Sequence, residues 1–199
     1  SLVIKRRVIE RFTEGGLYPY SRHYLNDIKA RTGQFWSNHF NTIGLNGLNE
    51  AVINLMGVDL TDERGHAFAV SVLDYMRDRL LGYQENSDEL FNLEATPAEG
   101  TSFRFALLDA SYYPDIISAT SGMEGAEPYY TNSSHLAVNA TDDMFEALEL
   151  QDELQTRYTG GTVMHLFLGE KLPSAELTRD LVRRVTARHR LPYFTLTPT

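Results

Sequence analysis

The 199-residue sequence contains no cysteine, and this absence excludes several kinds of chemistry from the chain itself. Without a thiol the chain forms no disulfide, supplies no thiolate ligand to a metal ion and carries no thiyl radical. The absence of cysteine carries no positive information about the cellular compartment, for which the cytoplasm is the default expectation.

Long apolar runs and an excess of basic residues are also absent. No stretch approaches the roughly 20 apolar residues of a bilayer-spanning helix, and no signal-peptide pattern opens the sequence, so we expect no membrane partner. The 18 Lys and Arg are outnumbered by 27 Asp and Glu, and the formal net charge is −9. This balance argues against non-specific nucleic-acid binding, but leaves open a local nucleotide site in which backbone amides supply the positive field.

The six histidines are scattered along the chain, and no two stand four residues apart as they do in a helical metal site. We therefore predict that this chain binds no metal ion and no other cofactor.

Hydrophobic periodicity and turn residues divide the chain into alternating elements. Helices are predicted over residues 2–14, 47–56, 61–83, 100–110, 143–156 and 174–190, with Thr61 and Ser174 as N-caps. Strands are predicted over 34–43, 90–95, 162–168 and 193–197, an aromatic and basic connector over 17–32, and a long irregular segment over 111–142. The alternation indicates an α/β fold with a mainly parallel sheet, either open and doubly wound or part of a closed barrel.

Residues 94–105 read Glu-Ala-Thr-Pro-Ala-Glu-Gly-Thr-Ser-Phe-Arg-Phe, which predicts the end of a strand, a tight turn and the opening of a helix. The unpaired amides and the dipole at a helix start suit an anion, above all a phosphate. The candidate substrate-binding residues of this segment are Thr96, Ala98, Gly100, Thr101 and Ser102. Glu99 receives a structural role, because a carboxylate repels a triphosphate. An ordinary turn capped by Thr or Ser is the alternative interpretation.

Residues 128–136 read Pro-Tyr-Tyr-Thr-Asn-Ser-Ser-His-Leu. Their neutral donors and acceptors suit recognition of a sugar or base and form no hydrolytic triad. The candidate substrate-binding residues here are Tyr130, Asn132, Ser133 and His135. His135 is alternatively a loop histidine satisfied by the backbone, and of Tyr129 and Tyr130 we expect one in the core and one in a pocket wall.

A third segment, residues 42–51, reads Thr-Ile-Gly-Leu-Asn-Gly-Leu-Asn-Glu-Ala. Gly44 and Gly47 predict a packing device that lets a helix start close to a neighbouring strand. A dinucleotide fingerprint is the less favoured interpretation, because the spacing is G-x-x-G rather than G-x-G-x-x-G.

Taken in order, the three segments resemble those of the anaerobic (class III) ribonucleotide reductases. That family carries similar Ile-Gly-x-x-Gly-Leu-x-Glu, Thr-Pro-Ala-Glu-x-x-x-x-Arg and Tyr-Tyr-Thr-Asn-Ser-x-x-Leu runs. The closing Pro-Tyr-Phe-Thr-Leu-Thr-Pro-Thr also resembles the strand that precedes the family's zinc-binding cysteines. The resemblance extends over almost the whole chain and rests on the order and spacing of four blocks.

The resemblance implies part of the ten-stranded α/β barrel of the glycyl-radical enzyme and ribonucleotide reductase superfamily, with residues 1–199 as a single partial domain from the C-terminal half of the catalytic subunit. It implies reduction of a ribonucleoside triphosphate by a glycyl radical that oxidises a cysteine to a thiyl. Because this sequence has neither a cysteine nor a glycyl-radical motif, we expect a fragment that is inactive alone.

The resemblance also implies parts of the enzyme outside this chain. These are a radical-generating activase that uses S-adenosylmethionine and an iron–sulfur cluster, a structural zinc site and a second copy of the subunit in a cytoplasmic homodimer. The Tyr-Leu-Asn of residues 24–26 places Asn26 where some relatives carry a polar or acidic residue near the ribose, so Asn26 is the catalytic candidate; an Asn26-Asp27 turn is the alternative. The competing hypothesis is a non-enzymatic α/β nucleotide-binding or assembly module.

Overall fold

The computed structural model describes residues 1–138, 140–168 and 174–198 of the chain. Helices and strands alternate along much of this part, as the sequence predicts. The helices are α1 (Leu2–Glu14), α2 (Pro19–Tyr24), α3 (Asn26–Thr32), α4 (Leu48–Met56), α5 (Glu63–Glu85), α6 (Glu99–Tyr112), α7 (Met144–Gln155) and α8 (Ala175–Arg188). The strands are β1 (Phe40–Gly44), β2 (Leu90–Glu94), β3 (Met164–Leu168) and β4 (Phe194–Pro198).

The chain divides into two compact units. Unit 1 consists of residues 1–43 and 78–92, and unit 2 consists of residues 44–77 and 93–199. The assignment of the whole chain to a single partial domain stays a prediction.

Charged side chains of α1 hold unit 1 together. Arg6 is buried and pairs with Glu89 at 2.7 Å. The Glu10 carboxylate accepts hydrogen bonds from the amides of Phe35 and Trp36, at 2.9 and 3.2 Å. These bonds hold residues 35 and 36 in a turn, so the strand predicted from residue 34 begins only at Phe40.

The connector predicted over residues 17–32 is wrong, because this stretch forms helices α2 and α3. Pro19 stands at the first position of α2, where its fixed φ and missing N–H suit a helix start. Gly33 ends α3 in the left-handed conformation, with φ of 83°.

The described strands form two two-stranded sheets, and an isolated parallel bridge joins Glu94, at the end of β2, to Gly161, which precedes β3. One sheet pairs β1 with β2, and the other pairs β3 with β4 in parallel, with Met164 opposite Phe194. The parallel pairing confirms the expectation from the alternating order, since parallel neighbours need a long crossover and α8 lies between them in sequence. Leu148, Met164, Leu166 and Val185 form the core between this sheet and helices α7 and α8.

Helix caps explain several element boundaries in unit 2. The Ser174 hydroxyl accepts from the amide of Leu177 and caps α8, as predicted. The cap of α5 is shifted by one residue, because Asp62 rather than Thr61 accepts a hydrogen bond from a helix amide, that of Arg64 at 2.9 Å. Residues 111–142 contain only the last two residues of α6 and otherwise no helix or strand in their described part, which confirms the long irregular segment. No described helix is both long and apolar enough to cross a membrane.

Candidate functional site

The three segments singled out in the sequence meet in unit 2, although up to 91 positions separate their members. We call residues 44–50, 94–102 and 129–135 together the three-segment cluster. Its residues are joined by backbone hydrogen bonds, by buried side-chain hydrogen bonds and by close packing at two glycines.

The segment after β2 has the geometry that the sequence predicts. Strand β2 ends at Glu94, and α6 begins at Glu99 with Ala98 as its N-cap residue and no side-chain cap. The interpretation of a helix capped by Thr or Ser is therefore wrong. The amides of Thr101 and Ser102 both donate to the Ala98 carbonyl at 2.9 Å.

The amides of Ala98, Glu99 and Gly100 make no hydrogen bond within the described part of the chain. Gly100 is exposed, and apart from its chain neighbours and the adjoining backbone of α6 no heavy atom lies within 4 Å of the position that a Cβ on this residue would occupy. The start of α6 therefore combines free donors, the positive end of a helix dipole and open space, which is the arrangement that accepts an anion.

Ser102 lies in the first turns of α6 but does not face solvent. It is fully buried, and its hydroxyl donates to the side-chain oxygen of Asn132 at 3.1 Å. This bond orients the carboxamide of Asn132 and leaves it able to form further hydrogen bonds, because the amide oxygen has a second lone pair and the NH₂ group has two donors. Tyr129 lies beside the same pair: burial and then the charge of Glu99 raise the pKa of its hydroxyl, and hydrogen bonds with Asn132 and Ser102 oppose the rise.

The backbone on either side of Asn132 is joined to the start of α4. The amide of Gly47 donates to the Thr131 carbonyl at 2.7 Å, and the amide of Leu48 donates to the Ser133 carbonyl at 3.1 Å. Ser133 is fully buried and has a φ of 50°, the only positive value of a non-glycine residue in the described chain. Its hydroxyl donates to the Leu45 carbonyl at 3.1 Å, so surrounding contacts hold an unfavourable backbone conformation in place.

Gly44 and Gly47 bring the segments into close contact, as the packing interpretation predicts. A Cβ on Gly44 would lie 2.9 Å from Cβ of Thr96, and one on Gly47 would lie 3.2 Å from Cβ of Tyr130. Gly47 also has a φ of 70°, which favours glycine.

A buried network from α7 contacts the other end of the 129–135 segment. The carboxamide of Gln151 donates to the Ser134 carbonyl at 3.0 Å, and the Tyr158 hydroxyl donates to the Ser134 hydroxyl at 2.8 Å. Gln155 then donates to Gln151 at 2.6 Å, and Thr162 donates to Gln155. Both glutamines are fully buried. Sequence reasoning missed this network and missed Glu50, whose buried carboxylate accepts from Thr131.

His135 and Tyr130 both have strongly displaced pKa values. Burial, with a smaller effect of His165, lowers the pKa of His135 to about 4, and its Nε2 atom is buried without a hydrogen-bond partner in the described structure. Burial and a hydrogen bond to Asp109 at 2.8 Å raise the pKa of Tyr130. Neither Tyr129 nor Tyr130 lies in the fully buried core, so the expectation of one core tyrosine is wrong.

The predicted site residues that belong to unit 2 lie in one cluster, whereas the candidate in unit 1 lies on an exposed helix. Thr96, Ala98, Gly100, Thr101, Ser102, Tyr130, Asn132, Ser133 and His135 all belong to the three-segment cluster. Asn26 is the exposed first residue of α3 in unit 1, so the interpretation of a turn at this point is wrong. Within the described residues no three His, Asp or Glu side chains form a group that could hold a metal ion.

A sequence profile of the family described as anaerobic ribonucleoside-triphosphate reductase matches residues 1–199. The chain belongs to this family. Two relatives carry the same description: one from Enterobacteria phage T4 is 27% identical over 124 residues, and one from Escherichia coli (strain K12) is 23% identical over 126 residues. Each alignment covers 62% of this chain, but only 20% and 17% of the respective relative.

Solved structures of anaerobic ribonucleotide reductase from Thermotoga maritima share the fold. The structure with MES in the active site superposes with a TM-score of 0.74 at 22% identity, over 98% of this chain and 30% of the other. The complex with dATP and CTP gives a TM-score of 0.72 at 21% identity, with the same coverage. The mixed α/β fold is therefore that of these proteins, and this chain spans about a third of their length.

Proposed function

We propose that this chain is a segment of the catalytic subunit of an anaerobic ribonucleoside-triphosphate reductase, which converts ribonucleotides to deoxyribonucleotides by glycyl- and thiyl-radical chemistry. Membership of the family supports this proposal, and so does the similarity to the Thermotoga maritima structures, one of which is described as a complex with dATP and CTP. In the complete subunit the segment forms part of a ten-stranded α/β barrel.

The segment contributes substrate-binding elements. The observation that carries this proposal is the position of three free amides at the start of α6, next to Asn132, whose carboxamide is held by Ser102 of the same helix. The amides of Ala98, Glu99 and Gly100 bind phosphate oxygens, with the Thr96 and Thr101 hydroxyls beside them. Tyr130, Asn132, Ser133 and His135 face the sugar or base or hold the loop that does.

The radical chemistry lies outside this chain. A thiyl radical and a thiolate zinc site both need cysteine, and this chain has none, so its residues fit neither group. The chain alone is therefore inactive. The complete subunit works as a cytoplasmic homodimer with an activase that generates its glycyl radical using S-adenosylmethionine and an iron–sulfur cluster.

The experiment uses the full product of the gene that encodes this chain. Incubated without oxygen with the activase, S-adenosylmethionine, a reductant and CTP, it is expected to form deoxycytidine triphosphate. The Asn132→Ala variant is expected to lower kcat/KM by about tenfold or more, since a lost hydrogen bond to substrate corresponds to roughly 1.5 kcal/mol. Asn86→Ala, at an exposed asparagine that ends α5 by donating to the Gly82 carbonyl, is the matched control.

Binding of CTP without formation of the deoxynucleotide would favour the non-enzymatic nucleotide-binding module. A protein that neither binds nor reduces any ribonucleoside triphosphate would overturn the proposal.

A further inference from the structure

Glu50 is the only fully buried carboxylate among the described residues, with 1% of its surface exposed. It lies in the first turn of α4. One of its oxygens, Oε2, accepts from both the amide and the hydroxyl of Thr131, each at 2.9 Å. The other, Oε1, accepts from the side-chain amide of Asn49 at 3.1 Å. A buried charge is costly, so three short hydrogen bonds to one carboxylate mark a position where the loop geometry is strongly specified.

The groups that contact the Glu50 carboxylate are all hydrogen-bond donors, so a glutamine, which is neutral and has the same shape, cannot satisfy all of them. Asn49 is fixed in orientation, because its side-chain oxygen accepts from the amide of Leu60 at 3.2 Å. Its NH₂ group therefore faces Oε1 of Glu50, while both donors of Thr131 face Oε2. A glutamine at residue 50 would put its own NH₂ group against a donor in either orientation.

Thr131 immediately precedes Asn132, and Ser133 follows it in the left-handed conformation described above. The loop is thus fixed to α4 on both sides of Asn132, by Glu50 and Gly47 at Thr131 and by Leu48 at Ser133. The hydrogen bond from Ser102 fixes the remaining freedom of the Asn132 side chain.

From this geometry we propose that Glu50 is a positioning residue: through Thr131 it sets the direction in which the Asn132 carboxamide faces a bound ribonucleotide. This inference rests on the proposed function and names a residue that acts through Asn132 without touching the substrate. A misplacement of about 1 Å at such a group is enough to cost roughly 100-fold in rate. A loose loop therefore has a large effect on binding and catalysis while the fold persists.

The test is a double-mutant cycle in the full-length protein, with CTP as the probe and affinity measured by calorimetry. Glu50→Gln and Asn132→Ala are each expected to weaken CTP binding by about tenfold. If Glu50 acts through Asn132, Glu50→Gln has little further effect once Asn132 is alanine, so the two effects are far from additive. Thr131→Val, which removes one donor and keeps the branched shape, is expected to weaken binding less than Glu50→Gln does.

The outcomes separate this inference from the proposed function. Additive effects of the two substitutions, or unchanged CTP affinity in both Glu50→Gln and Thr131→Val with intact melting curves, would overturn the role of Glu50 and leave the function standing. If Glu50→Gln does not fold, the cycle is run with Thr131→Val, and additivity there is equally decisive. A wild-type protein that does not bind CTP would overturn both.

Discussion

Gly100 is the residue that best distinguishes an anion-binding helix start from an ordinary turn. Its exposed position near the start of α6 leaves room for a methyl group within the protein, and its φ is not in the left-handed region. We therefore expect Gly100→Ala to fold normally and to gain up to about 1 kcal/mol in stability, because alanine is the better helix former. A bound phosphate needs close approach to the free amides, so the same methyl group is expected to lower nucleotide affinity by about tenfold.

Calorimetry with CTP and a thermal melt of the same sample measure the two effects of Gly100→Ala in the full-length protein. Gly82→Ala in α5 is the matched control, since a Cβ there also meets no heavy atom within 4 Å beyond its chain neighbours and the backbone of its own helix. Undiminished affinity in Gly100→Ala would mean that the amides of this turn do not contact the ligand.

His135 makes stability depend on pH in a defined window. Burial lowers its pKa from 6.5 in the unfolded chain to about 4 in the folded one. Between these values the unfolded chain binds a proton that the folded chain excludes, so the free energy of unfolding falls as the pH falls from 6.5 to about 4. The loss amounts to roughly 3 kcal/mol at the lower limit and is absent above the upper one.

Urea unfolding at pH 7 and at pH 5 tests the effect of His135, with His135→Gln as the variant. We expect the variant to show a smaller difference in stability between the two pH values than the wild type. His23→Gln, at an exposed histidine of α2, serves as the control and is expected to leave the difference unchanged. An equal pH dependence in His135→Gln and wild type would assign the dependence to other groups.

Individual site residues were only partly predictable from the sequence. The glycine and hydroxyl pattern of residues 94–105 was sufficient to predict a strand, a turn and a helix start, because those signals are local. The pattern gave no indication that Ser102 is buried and bonded to Asn132, 30 residues away. Glu50 is the last residue of the Ile-Gly-x-x-Gly-Leu-x-Glu run, but nothing local indicated its burial, because a glutamate in the first turn of a helix is ordinary and its partner lies 81 residues away.

At the scale of elements, the contact between the end of β1 and the residues after β2 depends on Gly44. A Cβ at this position would lie 2.9 Å from Cβ of Thr96 and 3.2 Å from the Glu94 carbonyl oxygen, and the backbone atom cannot move aside freely. We expect Gly44→Ala to destabilise the protein by about 1–3 kcal/mol, the usual cost of overpacking. Chemical denaturation measures the change, and Gly82→Ala, which meets no such contact, is expected to be neutral or stabilising.

A Gly44→Ala protein as stable as the wild type would show that β1 can shift away from Thr96. The packing role assigned to the glycines of the 42–51 segment would then fall to Gly47 alone, whose Cβ position lies 3.2 Å from the side chain of Tyr130.

The long helices were predicted to within about two residues at either end, because apolar residues recur at helical spacing along them and turn or capping residues such as Ser174 mark several of their ends. Helices α2 and α3 escaped prediction because six and seven residues are too few for a periodic pattern. The turn at residues 35–36 escaped it for another reason: its amides are satisfied by Glu10, a residue of α1 that is 25 positions away from Phe35. Short elements that depend on a distant partner carry no local signature.

At the scale of the whole molecule, neither periodicity nor spacing indicates that residues 44–50, 94–102 and 129–135 meet. Pairings such as that of Asn46 with Asn132 span 86 positions of sequence. The resemblance to the family rested on the order of these blocks along the chain, and the match of that family to residues 1–199 confirms the resemblance. That the blocks lie side by side became visible only in the structure, because contacts over such separations leave no local pattern.

The exposed apolar face of α1 leads to a prediction about the behaviour of the isolated chain. Ile4, Val8 and Phe12 recur at intervals of four residues and thus lie on one face of the helix, with 66%, 39% and 43% of their surfaces exposed. Contiguous apolar surface of this kind drives association in water. We expect the purified 199-residue chain to self-associate as its concentration rises, and the Ile4→Ser/Phe12→Ser variant to remain monomeric to higher concentration.

Sedimentation velocity over a wide concentration range measures the self-association of the chain. The control is Val138→Ser, at an isolated loop position that is 87% exposed. A wild-type chain that sediments as a monomer at every concentration would contradict the prediction, and equal effects of the α1 variant and the control would show that association does not depend on this helix.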